Sequence, residues 1–223
     1  MKAVLPYPLG QFGHKVLSQN DEDGIIGVIS SRLQPPQTCV EIGVVSWEAN
    51  CLHLVRQGWQ HVLMDIRGDG DFIKREHVAP DNVNRLFEKY QIPPIFGVLS
   101  IDIDGQDYWV WEAISCEYRP ALVVIEYNSI LPSERSCSVP MNSNWHWDRT
   151  QYYGASLLAL NKLANTKGYH LVYANGVNAF FVMDDLLANP EDFTYDDLFR
   201  PWPDDQWKRH RDAGVLAREW VDV

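Results

Sequence analysis

The chain has 223 residues, 46% of them hydrophobic and 22% charged, with 9 Trp, 10 Tyr and 8 Phe, which suits one α/β core and excludes composition-driven disorder. Its 19 Lys and Arg against 30 Asp and Glu give a formal net charge of −11 without a basic cluster, and so exclude the electrostatic footprint of a nucleic-acid binder. No apolar run reaches 18 residues and the opening MKAVLPYPLG holds two prolines, so the sequence predicts a cytoplasmic protein with neither a signal-peptide core nor a membrane partner.

The scattered glycines and prolines mark no linker, and a single domain over 1–223 is expected. Residues 1–36 read as an N-terminal helical segment, in which the acidic stretch 18–23 (SQNDED) precedes an apolar helical run. A first strand is predicted at 38–43 (TCVEIG), followed by a helix over 47–57 that stops at Gly58. The second strand is 61–65 (HVLMD), a weak third lies near 74–78, and a helix over 82–90 takes Asp81 as its N-cap. The fourth strand is 97–103 (GVLSIDI), and the helix after it, 107–115 (DYWVWEAIS), turns Trp109 and Trp111 onto the sheet. A fifth strand at 121–127 (ALVVIEY), a helix over 153–166 ending before Gly168, and strands at 169–173 and 179–183 complete the pattern. Only 174–178 (ANGVN) separates the last two strands, too short for a helical crossover, so they pair antiparallel. The predicted fold is α/β and Rossmann-like: a seven-stranded, mostly parallel sheet with its last strand antiparallel and helices on both faces. The acidic, aromatic residues 184–223 are read as a lid or an oligomer-contact tail, which leaves a homodimer open. Cys39, Cys51, Cys116 and Cys137 lack metal-binding or disulfide-framework spacing and are expected as reduced thiols.

Ligands of open α/β sheets bind beyond the carboxyl ends of the strands. Asp65 closes the second strand with carboxylate oxygens free for the two hydroxyls of a ribose, or as a solvated loop residue. Glu41 and Gly43, with this acidic residue 24 positions after Glu41, point to an adenosine-type cofactor. Asp102 and Asp104, with Asn128 beyond the fifth strand, admit three roles: general base or substrate contact, oxygen ligands of Mg²⁺, or capping of the Asp104–Gly105 turn. The first is preferred and no metal is assigned. The aromatic, polar segment 142–153 (NSNWHWDRTQYY) offers faces for a sulfonium or a ring-shaped acceptor, with His146 offered as a second base. Tyr152, Tyr153 and Ser156 lead a helix whose N-terminus would face the site; Tyr152 and Tyr153 are catalytic candidates, and Ser156, with His146 and Asn178 in the last hairpin, is a substrate contact.

The stretches SQNDEDGII, VEIGVVSWEANC, RQGWQHVLMD, VLSIDIDGQDYWVWEAI, ALVVIEYNS, YYGASLLALNKLANTKGYHLV and NAFFV resemble the FkbM-type and related small-molecule methyltransferases of the class I fold, from about residue 18 to 187, with SIDIDG the most specific block. The resemblance implies S-adenosylmethionine over the first two strands. Glu41, Gly43 and Asn50 would then serve its methionine end and Asp65 its ribose, while Asp102, Asp104 and Asn128 line the reacting side. The family's first loop is normally glycine-rich; here only Gly43 remains, and Val44, Val45, Ser46 and Trp47 follow, so that Trp47 would wall the adenosine pocket. The implied activity is methyl transfer to oxygen or nitrogen of a small metabolite, in natural-product or glycan tailoring. Two alternatives stand beside it: a cyclase that turns the cofactor's aminobutyrate chain on itself and releases methylthioadenosine, and a non-catalytic module.

Overall fold

The computed structural model describes residues 2–45, 47–201 and 214–223. Ser46 and the 202–213 part of the expected C-terminal lid or contact tail lie outside the described residues.

The sheet is built from β1 (Thr38–Ile42), β2 (Gln60–Asp65), β3 (Ile73–Arg75), β4 (Ile95–Ile101), β5 (Arg119–Glu126), β7 (Tyr169–Ala174) and β8 (Asn178–Met183), in spatial order β3-β2-β1-β4-β5-β8-β7. β1 to β5 pair parallel, and β8 runs antiparallel between β5 and β7. This is the Rossmann-like, mostly parallel sheet with an antiparallel last strand that the sequence predicts. β1, β4 and β5 are near-continuous apolar runs because helices cover both faces of a parallel sheet, and Val40, Ile42, Val98, Leu99, Val123 and Val124 are all fully buried. The strand order reverses between β1 and β4, which opens a crevice at their carboxyl ends.

Around the sheet lie α1 (Glu22–Leu33), α2 (Leu52–Arg56), α3 (Val83–Lys89), α4 (Asp107–Ala113), α5 (Leu157–Lys167) and the short α6 (Tyr195–Leu198). α2 is five residues where a helix over 47–57 was expected, because both oxygens of the buried Glu41 carboxylate take backbone N–H groups, from Asn50 and Cys51 at 2.7 Å each, and hold 47–51 as a loop. Asn82 rather than Asp81 precedes α3; its Oδ1 accepts from Ala79 N at 2.9 Å. α5 starts four residues later than predicted, since Ala155 bridges antiparallel to Ser138 and Ser156 caps the helix by accepting from Ala159 N at 3.1 Å. Gly168 ends α5 in the left-handed conformation, φ 79°, as its position suggested. Trp111 packs between Tyr169 and Phe181 as expected, whereas Trp109 donates to Val139 O at 2.8 Å.

A second, smaller sheet has no counterpart in the sequence reading: β6 (Cys137–Ser138) pairs antiparallel with β9 (Val221–Asp222). It encloses its own apolar cluster of Ile130, Leu131, Cys137, Val139, Tyr152 and Val215, with Trp145 and Trp220 packed against it. The chain end thus braces the segment 129–154 beside the crevice. The four cysteines are free thiols. No helix among the described residues is long and apolar enough to cross a membrane.

Candidate functional site

A cavity of about 720 Å³ lies across the carboxyl ends of β1, β2 and β4. At its floor Gly43 turns away from β1 at φ 86°, where an added Cβ would stand 1.6 Å from Asp102 O. Glycine is required there by the neighbouring strand end, so this residue shapes the crevice irrespective of any ligand. Glu41 lines the same floor, 2% exposed, and burial pushes its carboxyl up to about 7 against the two N–H groups that favour its charge. Asn50 donates through Nδ2 to Ser100 Oγ at 3.1 Å, tying the loop to β4.

Asp65 leaves β2 with Oδ1 accepting from Arg67 N at 2.7 Å and Oδ2 from Val44 N at 3.3 Å. Its carboxylate is held by both flanking loops and lines the cavity. Trp47 stands at the mouth, 73% exposed.

The far wall is acidic. Asp102 and Asp104 follow β4, Glu126 ends β5, and one carboxylate oxygen from each lies within 4.8 Å of the others, close enough to surround one cation. Asp104 takes φ 56°, a left-handed turn that brings it back beside Asp102. Burial, followed by the charges of Asp107, Asp104 and Glu41, holds Asp102 well above the usual carboxylate range. Burial, then Asp102, Asp107 and Asp104, does the same to Glu126. Asp107 accepts from Ile103 N at 2.8 Å and Gly105 N at 2.9 Å, fixing the turn, and burial lifts it to about 6. Trp145 lies over Gly105, where a Cβ would meet its Nε1 at 2.0 Å, and donates to Asp104 O at 3.0 Å. Tyr153 stands behind these carboxylates; its hydroxyl pKa is raised by burial and then by Glu126, Asp102, Asp104 and Asp107. Asn178 lines the cavity, with Nδ2 on Glu22 Oε1 at 3.1 Å.

The structure therefore gathers Glu41, Gly43, Trp47, Asn50, Asp65, Asp102, Asp104, His146 and Asn178 around one cavity. Four candidates stand outside its lining: Tyr153, behind the carboxylates, and Asn128, Tyr152 and Ser156. Asn128 is fully buried and spent on structure, donating to Gln151 O and Tyr153 O at 2.9 Å each and accepting from Ile130 N. Its place beside the aspartates is taken by Glu126, two residues earlier, whose one sequence signal was a carboxylate at a strand end. Tyr152 packs in the second apolar cluster and donates to Glu219 O. Ser156 is the cap of α5, which commits its hydroxyl to Ala159 N and Cys137 N. Trp145, whose contact with Gly105 closes the acidic wall, carried no signal beyond the aromatic density of its segment.

No family model matches the chain, and no curated protein matches it in sequence. Among solved structures it is similar to the MycE methyltransferase from the mycinamycin biosynthetic pathway, in complex with Mg and S-adenosylhomocysteine, at 14% identity and a TM-score of 0.35. The likeness covers 87% of this chain and 59% of that one, so the chain spans about three fifths of that structure's length.

Proposed function

We propose that the chain binds S-adenosylmethionine in this cavity and transfers its methyl group to oxygen or nitrogen of a small metabolite, of the kind modified in natural-product or glycan tailoring. The observation that carries the reading is the position of Asp65: a carboxylate at the end of the strand beside β1, facing a cavity at the point where strand order reverses. The donor set fits the cofactor. Asp65 keeps lone pairs for two ribose hydroxyls, the backbone at Gly43 and Val44 borders the adjoining floor, and Trp47 supplies an aromatic wall at the mouth.

When bound, the sulfonium supplies an electrophilic methyl group. The chain's own work is to orient and to take a proton. Asp65 anchors one end, while Asp102 and Asp104 face the other from the strand-four turn. Because burial and the neighbouring carboxylates raise Asp102 above the usual carboxylate range, its ionised form is a stronger base than an ordinary carboxylate and is suited to accept a proton from an acceptor group placed within hydrogen-bond reach. The net acidity of the chain favours a small acceptor over a nucleic acid.

Isothermal titration with S-adenosylhomocysteine tests the reading; saturable binding is expected, and its absence at millimolar ligand overturns it. Incubation with S-adenosylmethionine alone then separates the reactions, since methylthioadenosine released without an acceptor would replace methyl transfer by the cyclase chemistry.

A further inference from the structure

Two buried acceptor atoms beside the acidic wall are left without a donor. Glu126 Oε2 is buried and takes no hydrogen bond, and neither does the buried Oδ1 of Asn178, which faces Glu126 across the β5–β8 pairing. The orientation of that amide is not arbitrary. Its Nδ2 donates to Glu22 Oε1, which can only accept, so the oxygen is the atom left over. Asp102 and Asp104 add carboxylate oxygens within 4.8 Å of that of Glu126. Buried acceptors without donors, crowded with like charge, call for a ligand that is both positive and rich in N–H groups.

A primary ammonium carries three such donors on one charge. Three acceptors around a tetrahedral ammonium, at about 2.9 Å from its nitrogen, stand about 4.7 Å apart, and the three carboxylate oxygens lie no more than 4.8 Å from one another. An inorganic cation would answer the charge alone. The aromatic wall is what an organic cation adds a use for: Trp145 lies across the Asp104–Gly105 turn, and Trp147 lines the same cavity.

Resting on the methyl-transfer reading, we propose that the acidic end formed by Asp102, Asp104, Glu126 and Asn178 recognises the acceptor substrate as a protonated amine, so that the methyl group goes to nitrogen. In the balanced step the ammonium gives one proton to a carboxylate of the cluster, and the freed lone pair forms the N–C bond as the bond from methyl to sulfur breaks. Its electron pair stays on sulfur, which becomes a neutral thioether. The nitrogen leaves as a methylammonium, and the carboxyl returns its proton to water.

The test uses the full chain at pH 7, saturated with S-adenosylhomocysteine, and the near-isosteric probes benzylamine and benzyl alcohol in a calorimetric titration. Benzylamine is expected to bind about tenfold tighter or more. Glu126→Gln and Asn178→Ala, checked by circular dichroism, should each bring the two probes to within about threefold while leaving affinity for S-adenosylhomocysteine unchanged. Equal binding of the two probes by the unaltered chain overturns the proposal, and so does a preference for the amine that survives both substitutions. A fall in S-adenosylhomocysteine affinity in Glu126→Gln overturns it as well, by giving the acidic end to the cofactor's own ammonium. Magnesium chloride that binds alone below millimolar concentration and displaces benzylamine overturns it in favour of a metal. If S-adenosylhomocysteine fails to bind at all, the methyl-transfer reading falls, and the same probe pair on the protein alone still decides whether the acidic end takes an ammonium.

Discussion

Removing the Asp65 carboxylate should weaken cofactor binding by at least tenfold, and the geometry says why. Each oxygen already accepts one backbone N–H, from Arg67 at 2.7 Å and from Val44 at 3.3 Å, which leaves each a lone pair for one ribose hydroxyl. A hydrogen bond to a charged group contributes about 1.5–3 kcal/mol, so one such bond lost outright weakens binding about 10- to 150-fold. Two bonds set a ceiling that water entering an open cleft will not let the measurement reach. Asp65→Ala also strands the two backbone donors and loosens the loops on either side, whereas Asp65→Asn keeps the shape and one acceptor. The order of affinity for S-adenosylhomocysteine by titration calorimetry should therefore run native, Asn, Ala, with Ala down tenfold or more. An Ala variant with unchanged thermal midpoint and affinity within twofold of native would refute the ribose assignment.

Asp102→Asn should retain cofactor affinity while turnover falls about 10²-fold or more, the scale of general-base catalysis; turnover on an accepted substrate equal to native in both Asp102→Asn and Asp104→Asn removes the base. Gly43→Ala forces a Cβ to within 1.6 Å of Asp102 O at φ 86°, and should cost several kcal/mol of stability by denaturant titration, whereas a loss below about 1 kcal/mol would mean the strand ends yield freely. Stability should also fall as pH rises from about 4.5 to 7.5. Glu41 is raised from 4.5 to about 7 and Asp107 from 3.8 to about 6, both chiefly by burial, so the folded state binds more protons than the unfolded chain across that window. Shifting Glu41 alone corresponds to about 3 kcal/mol at most, and denaturation midpoints that stay flat or climb over the window contradict it.

Much of the fold was legible locally. β-branched runs between helix-period segments, and a five-residue turn that no helix could occupy, were enough to name a mostly parallel sheet closed by an antiparallel hairpin, because backbone geometry leaves a short connection no other choice. Element ends were less legible where a side chain from afar set them: Glu41 reaching to Asn50 N and Cys51 N shortens α2, a contact that hydrophobic period does not encode. The small β6–β9 sheet joins residues more than 80 positions apart through two pairs, and no local pattern of that length stands out from a loop.

The candidate site divides along the same line. Asp65 and Asp102 could be picked from the sequence because strand ends in an open α/β sheet face the crevice, which makes a carboxylate there a candidate by position alone, and both line the cavity. Whether a polar residue is free or already spent is a different matter, decided by partners distant in the chain. Asn128 looked as exposed to the site as Glu126, yet its amide is consumed by the backbone of residues 151 and 153, while Glu126 keeps an oxygen without a donor. The types and periods of residues along the chain thus determined the layers and the edge of the sheet where chemistry would sit. Only the tertiary structure decided which side chains at that edge are available, because hydrogen-bond satisfaction in a buried wall is settled between segments that sequence spacing does not bring together.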